Sequence, residues 1–162
     1  MRNLYCGFIG QRPMSFRWGF DEDDENCARL KKILAAEIAV HVNSGIINFI
    51  TGMSQGVDLF AAEAVLKLKK THSDIRLICA LPFEEQAKKW SAQQRDRYYG
   101  IIERSDKSVL LQEQFSPDCF INCNRWICQY SKYIIAVYNN MPATSTAKML
   151  CHARRSGCMT TV

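Results

Sequence analysis

Short apolar runs alternating with longer stretches of helical spacing constrain this chain more than any other feature. Leu4 to Ile9, Ile46 to Thr51, Ile75 to Ala80, Ser108 to Leu111 and Tyr133 to Tyr138 read as strands, and Met159 to Val162 as the start of a sixth. The runs are continuously apolar rather than alternating, as expected of strands covered on both faces. Between them, Asp23 or Asp24 can cap a helix whose stripe is Cys27, Leu30, Leu34, Ile38 and His41, ending near Gly45. Val57 to Lys70 predicts a second helix with Val57, Phe60, Ala61, Ala64, Val65 and Leu68 inward. Glu84 to Arg104 predicts one helix or two, Pro117 opens another that runs to about Tyr130, and a last one follows the loop Asn139 to Ser145 and ends near Gly157. Strand and helix in strict alternation predict an α/β fold: one doubly wound domain over residues 1–162, with a mostly parallel sheet of about five to six strands and helices on both faces.

A chain of 162 residues is long enough to bury one substantial core. No apolar run approaches the roughly 20 residues that a membrane span needs, and the N-terminal stretch does not read as a signal peptide. The eight cysteines include no C-x-x-C pair, and several sit in expected strands or helices, so they read as reduced thiols of a cytoplasmic protein. Cys119, Cys123 and Cys128 lack both a nearby histidine and metal-ligand spacing, which argues against a metal site. The net charge of +5 suits a nucleotide or nucleic-acid ligand without requiring one.

The stretch TGMSQGVD, from Thr51 to Asp58, makes the sharpest turn in the chain. Gly52 and Gly56 stand between the end of a strand and the start of a helix, where a ligand binds in open α/β sheets. Glycine lets another group approach the backbone, and the helix start offers free N–H groups to a phosphate or carboxylate. Thr51 and Ser54 add hydroxyls there and Gln55 an amide. Gly10-Gln11-Arg12-Pro13, Ala80-Leu81-Pro82-Phe83 and Thr144-Ser145-Thr146 reach the same edge of the sheet, with Arg12 as the natural cation. The pattern is neither G-x-G-x-x-G nor a Walker loop.

Taken in order, G-Q-R, T-G-M-S-Q-G-V-D-L-x-A-A-E, L-P-F-x-x-Q-x-x-x-W, N-R-W and I-I-A-V-Y resemble the SLOG superfamily, and within it the YpsA-like branch, from Leu4 to Gly157. The resemblance implies a Rossmann-like domain that holds a nucleotide-like ligand. By that likeness the site comprises Thr51, Gly52, Met53, Ser54 and Gly56, with Asp58 and Glu63 on the following helix. Gly10 and Arg12 match the family's first loop, and Pro82, Phe83, Gln86 and Trp90 its third. Three positions depart from the pattern. Cys123 replaces an arginine before Asn124, Arg125 and Trp126; Lys132 replaces an acidic residue; and Thr144-Ser145-Thr146 stands where relatives carry G-G-T. The phosphoribohydrolase relatives use a P-G-G-x-G-T-x-x-E block, which Pro142-Ala143-Thr144-Ser145-Thr146 does not match.

These residues point to a non-catalytic nucleotide-binding or sensor domain, with an N-glycosidic hydrolase and a module for single-stranded nucleic acid as the alternatives. Glu63 lies two turns into its helix, deep for a general base, and suits a supporting role. Basic groups at Lys67, Lys69, Lys70, Lys88, Lys89, Arg95 and Arg97 are diluted by Glu84, Glu85 and Asp96, which favours solvated helix faces over a nucleic-acid stripe. Apolar helix faces are compatible with a homodimer.

Overall fold

The computed structural model describes residues 4–138, 145–155 and 159–161. In chain order its elements are β1 (Tyr5–Ile9), α1 (Glu25–Asn43), β2 (Asn48–Thr51), α2 (Val57–Lys69), β3 (Arg76–Leu81) and α3 (Ala92–Arg104). They continue with β4 (Lys107–Leu110), α4 (Cys119–Tyr130), β5 (Tyr133–Ala136), α5 (Ser145–Arg155) and β6 (Met159–Thr161). The strands form one sheet in the order β4-β3-β2-β1-β5-β6, and every pairing is parallel. Cys6 lies opposite Phe49 on one side and Tyr133 on the other. The chain winds outward from β1 to β4 and then crosses back to β5, so its switch point lies between β1 and β5.

Successive side chains of a strand enter opposite faces, and the core divides accordingly. Phe8, Phe49, Leu77 and Cys79 join Leu34 and Ile38 of α1, Val65 of α2 and Tyr98 and Ile101 of α3 in one apolar cluster. Ile9, Ile50 and Ala80 join Ile127 of α4, Ile134 of β5 and Met149 and Leu150 of α5 in the other. This explains why β1, β2, β3 and β5 run apolar, since both of their faces are covered; β4 departs from the expectation, because as an edge strand it stays largely exposed.

Asp24 is the cap of α1, its carboxylate accepting from the N–H of Asn26 at 2.8 Å and of Cys27 at 3.4 Å. Cys27, Leu34 and Ile38 of the expected stripe are buried, while His41 meets Tyr133 edge-on at 5.7 Å. On α2 the buried surface is wider than one stripe and includes Leu59, Ala62 and Leu66, because the helix packs on the sheet and against both α1 and α3.

Glu84 to Trp90 departs from the expected helix. It forms turns closed by Lys88 N–H to the Glu85 carbonyl and Trp90 N–H to the Ala87 carbonyl, both 3.1 Å. Helix α3 starts only after Ser91, whose hydroxyl accepts from the Gln94 N–H. The physical reason is a long-range bond: Gln86 donates its amide to the Gly52 carbonyl at 3.3 Å and accepts from the Tyr98 hydroxyl at 3.2 Å. That pairing fixes the segment against the corner after β2, and Trp90 packs edge-on against Tyr98 at 5.3 Å. Among the described residues no helix is long and apolar enough to cross a membrane, and no cluster of His, Cys, Asp or Glu is arranged for a metal ion.

Candidate functional site

A cavity of about 320 Å³ opens at the carboxyl edge of the sheet, at the switch point. Its walls are the loop after β1, the corner after β2, Pro82 after β3, the start of α4 and Thr146 at the start of α5. This volume lies near the lower end of the roughly 300–1,000 Å³ of small-molecule pockets.

The loop and the corner interlock. A Cβ on Gly10 would stand 2.3 Å from the Cβ of Val57, so the first residue of α2 rests on the end of β1. The Val57 N–H donates to the Gln11 carbonyl at 3.4 Å. Gly56 has φ +89°, and a Cβ there would come within 2.8 Å of that same carbonyl. Both glycines therefore allow chain to approach chain.

Three amides of the corner are committed internally. Val57 is the first; Met53 N–H donates to the Thr51 hydroxyl at 3.3 Å, and Ser54 N–H to Oδ2 of Asp58 at 3.2 Å. The Thr51 hydroxyl is itself spent on the Asp58 carbonyl at 2.9 Å. The corner lines the cavity with Gly52, Ser54 and the acid Asp58. Asp58 is 8% exposed, and burial pushes its pKa from 3.8 up to about 7, against the smaller pull of the Ser54 amide and of Arg12. The Arg12 guanidinium lies over the Phe120 ring, 4.2 Å from its centroid. Between Gly10 and Arg12, Gln11 is only 4% exposed, and neither its carboxamide nitrogen nor its oxygen has a hydrogen-bond partner among the described residues.

Of the residues expected at a site, Gly10, Arg12, Gly52, Ser54, Asp58, Pro82, Asn124 and Thr146 line the cavity. Thr51 and Met53 are wholly buried behind it, and Gly56 abuts Gln11. Phe83 stands beside it, edge-on to Phe120 at 6.0 Å and to Phe115 at 5.4 Å. Arg125 is exposed on α4, beside Lys148 and His152. Thr144 lies outside the described residues, and Ser145 opens α5. Ser15 and Phe120 line the cavity without having been singled out from sequence, and Gln11, named there only as part of the loop after β1, joins them. The flanking Gly10 and Arg12 were the available signal for Gln11.

Gln55 and Glu63 border a separate open groove, where Glu63 is held by Arg97. The guanidinium donates to Glu63 at 2.7 Å and to Glu22 at 2.6 and 3.0 Å, with Lys31 also on Glu22. Arg97, with its side chain 17% exposed, thereby ties the loop before α1 to α2 and α3. Replacing it with methionine leaves two carboxylates facing each other without their shared cation. Arg97→Met is expected to destabilise the fold by about 1–3 kcal/mol, less than a fully buried pair because both glutamates are part-exposed. Denaturant titration checks this, and ligand affinity at the cavity should not change.

A doubly wound parallel sheet with a cavity of mixed polar and apolar lining at its switch point defines a Rossmann-like α/β domain. The chain belongs to the YpsA family: the family model, described as YspA SLOG family, matches residues 6–157. It is 30% identical over 122 residues to a UPF0398 protein of Halalkalibacterium halodurans, an alignment covering 74% of this chain and 65% of that relative. UPF0398 proteins of Bacillus cereus strain G9842 and Bacillus thuringiensis strain Al Hakam are each 27% identical over 140 residues, covering 85% of this chain and 76% of theirs. The chain thus spans less than two thirds of the length of the first of these relatives.

Proposed function

We propose that this domain binds a nucleotide or nucleotide derivative in the cavity at the carboxyl edge of its sheet, and acts as a binding or sensor module rather than a catalyst. The observation that carries the reading is Gln11: a buried carboxamide without a partner among the described residues, in the wall of the cavity, next to an arginine. An orphaned polar group of this kind costs about 1–3 kcal/mol, which a bound ligand recovers. Arg12 supplies the charge for a phosphate, and the cavity is sized for a mononucleotide rather than a dinucleotide. Against hydrolysis stands Glu63, which Arg97 holds in a different groove.

The test is calorimetric titration with the four ribonucleoside monophosphates, alongside mass spectrometry of small molecules released on denaturation. Binding of at least one monophosphate is expected, weakened about tenfold or more by Arg12→Met, since a charge-assisted hydrogen bond contributes about 1.5–3 kcal/mol. Absence of binding by all four, with no released nucleotide, would sink the reading. Free base accumulating during incubation would replace it with the hydrolase, for which Asp58, poised near neutrality in the cavity wall, is the suitable base.

A further inference from the structure

The cavity wall carries two kinds of chemistry, a cation at Arg12 and an acid at Asp58 close enough to feel it. Towards α4, Arg12 lies on Phe120 with Asn124 nearby, an arrangement suited to an anion beside an apolar surface. Towards the corner after β2 the wall holds an acid and an amide. Asp58 uses Oδ2 on the Ser54 N–H, and Oδ1 makes no hydrogen bond among the described residues. Gln11 has no partner for either end of its carboxamide among the described residues. Two amides of this corner, those of Ser54 and Val57, are already bonded to Asp58 and Gln11.

A phosphate at the corner would meet the Asp58 carboxyl beside the committed amides of Ser54 and Val57, so the anion is better placed at Arg12. The corner calls for the opposite chemistry: a neutral group that donates to Asp58 and both donates to and accepts from Gln11. Two vicinal hydroxyls meet that requirement, since each is donor and acceptor at once. We propose that the corner is a sugar subsite in which Asp58 and Gln11 bind the 2′- and 3′-hydroxyls of a ribose, with the ligand's phosphate placed at Arg12. This rests on the nucleotide-binding reading above and fixes the ligand's orientation within it: sugar against α2, phosphate towards α4.

The test titrates the full chain with the four ribonucleoside monophosphates and their 2′,3′-dideoxy counterparts, which differ only in the two hydroxyls. Loss of those hydroxyls leaves Asp58 and Gln11 unpaired, so the dideoxy forms should bind about 10–100-fold more weakly. Asp58→Asn and Gln11→Met should each narrow that gap to a few-fold by weakening the ribo forms. Arg12→Met should weaken both series equally and leave the gap intact. Equal affinity of the two series for the wild-type protein overturns the sugar subsite while leaving nucleotide binding standing. A gap that survives in both Asp58→Asn and Gln11→Met places the hydroxyls elsewhere and also overturns it. If neither series binds, this proposal and the nucleotide reading fall together.

Discussion

Gly10→Ala is expected to lower the thermal transition by about 6–12 °C and to abolish nucleotide binding with it. One methyl group has this effect because of what it meets. The added Cβ would lie 2.3 Å from Val57 Cβ, which is fixed to the backbone at the first residue of α2 and has no rotamer that removes it. Helix and strand must separate instead. Overpacking of a well-packed contact costs about 1–3 kcal/mol, and the upper end applies where no flexible side chain can yield. In a chain of this length each kcal/mol moves the transition by about 2–4 °C. Separation also carries Asp58 away from Arg12 and breaks the Val57 amide bond to Gln11, so binding suffers beyond the loss of stability. Calorimetric melting checks the first effect and titration with a monophosphate the second. A transition within 2 °C of wild type would mean that α2 can move off the strand without strain.

Asp58→Asn should stabilise the ligand-free protein, increasingly so as pH rises. The sign follows from where the proton sits. Burial raises the carboxyl from 3.8 to about 7 in the folded chain. Between those values the unfolded chain has released its proton and the folded chain still holds it, so stability falls as pH rises from 4 to 7 and then levels. Below pH 4 both states are protonated and the residue contributes no pH dependence. Asparagine keeps an oxygen for the Ser54 amide and never ionises. Its advantage is therefore absent near pH 4 and grows to about 4 kcal/mol at pH 8. Chemical denaturation at pH 4.5, 6, 7 and 8 measures it, and a wild-type stability that does not fall relative to the variant across this range overturns the assignment. A protein better folded and worse at holding ligand is the pattern of a residue kept for its site.

The fold was legible because sheet and helix periods differ. β1, β2, β3 and β5 announce themselves as unbroken apolar runs, and both-face burial is why they are unbroken. The site was half legible. Gly10 and Gly56 mark a close approach to the backbone, as the sequence implies, but the approaching groups are the Val57 side chain and the Gln11 carbonyl. A glycine shows that space is needed without showing what fills it. Glu63 was recognisable as a carboxylate, whereas its partner Arg97 lies 34 residues on, beyond any local pattern. The same holds for Gln86, whose bonds to Gly52 and Tyr98 displace a helix that spacing alone predicts. Gln11 was placed at the right edge by the G-Q-R motif, but its burial and its lack of a partner among the described residues follow from the docking of α2, which no local pattern shows.

Six of the seven described cysteines are buried and none is bonded to another. Burial also raises the thiols of Cys6, Cys79 and Cys123, so they stay protonated and unreactive while the chain is folded. Opening the chain releases that protection all at once, and thiolates that have no native pairing then meet in wrong combinations. Oxidation of the six buried thiols therefore waits on opening of the chain, whereas the exposed Cys151 is open to oxidation in the folded protein, and a reducing agent in the buffer protects both.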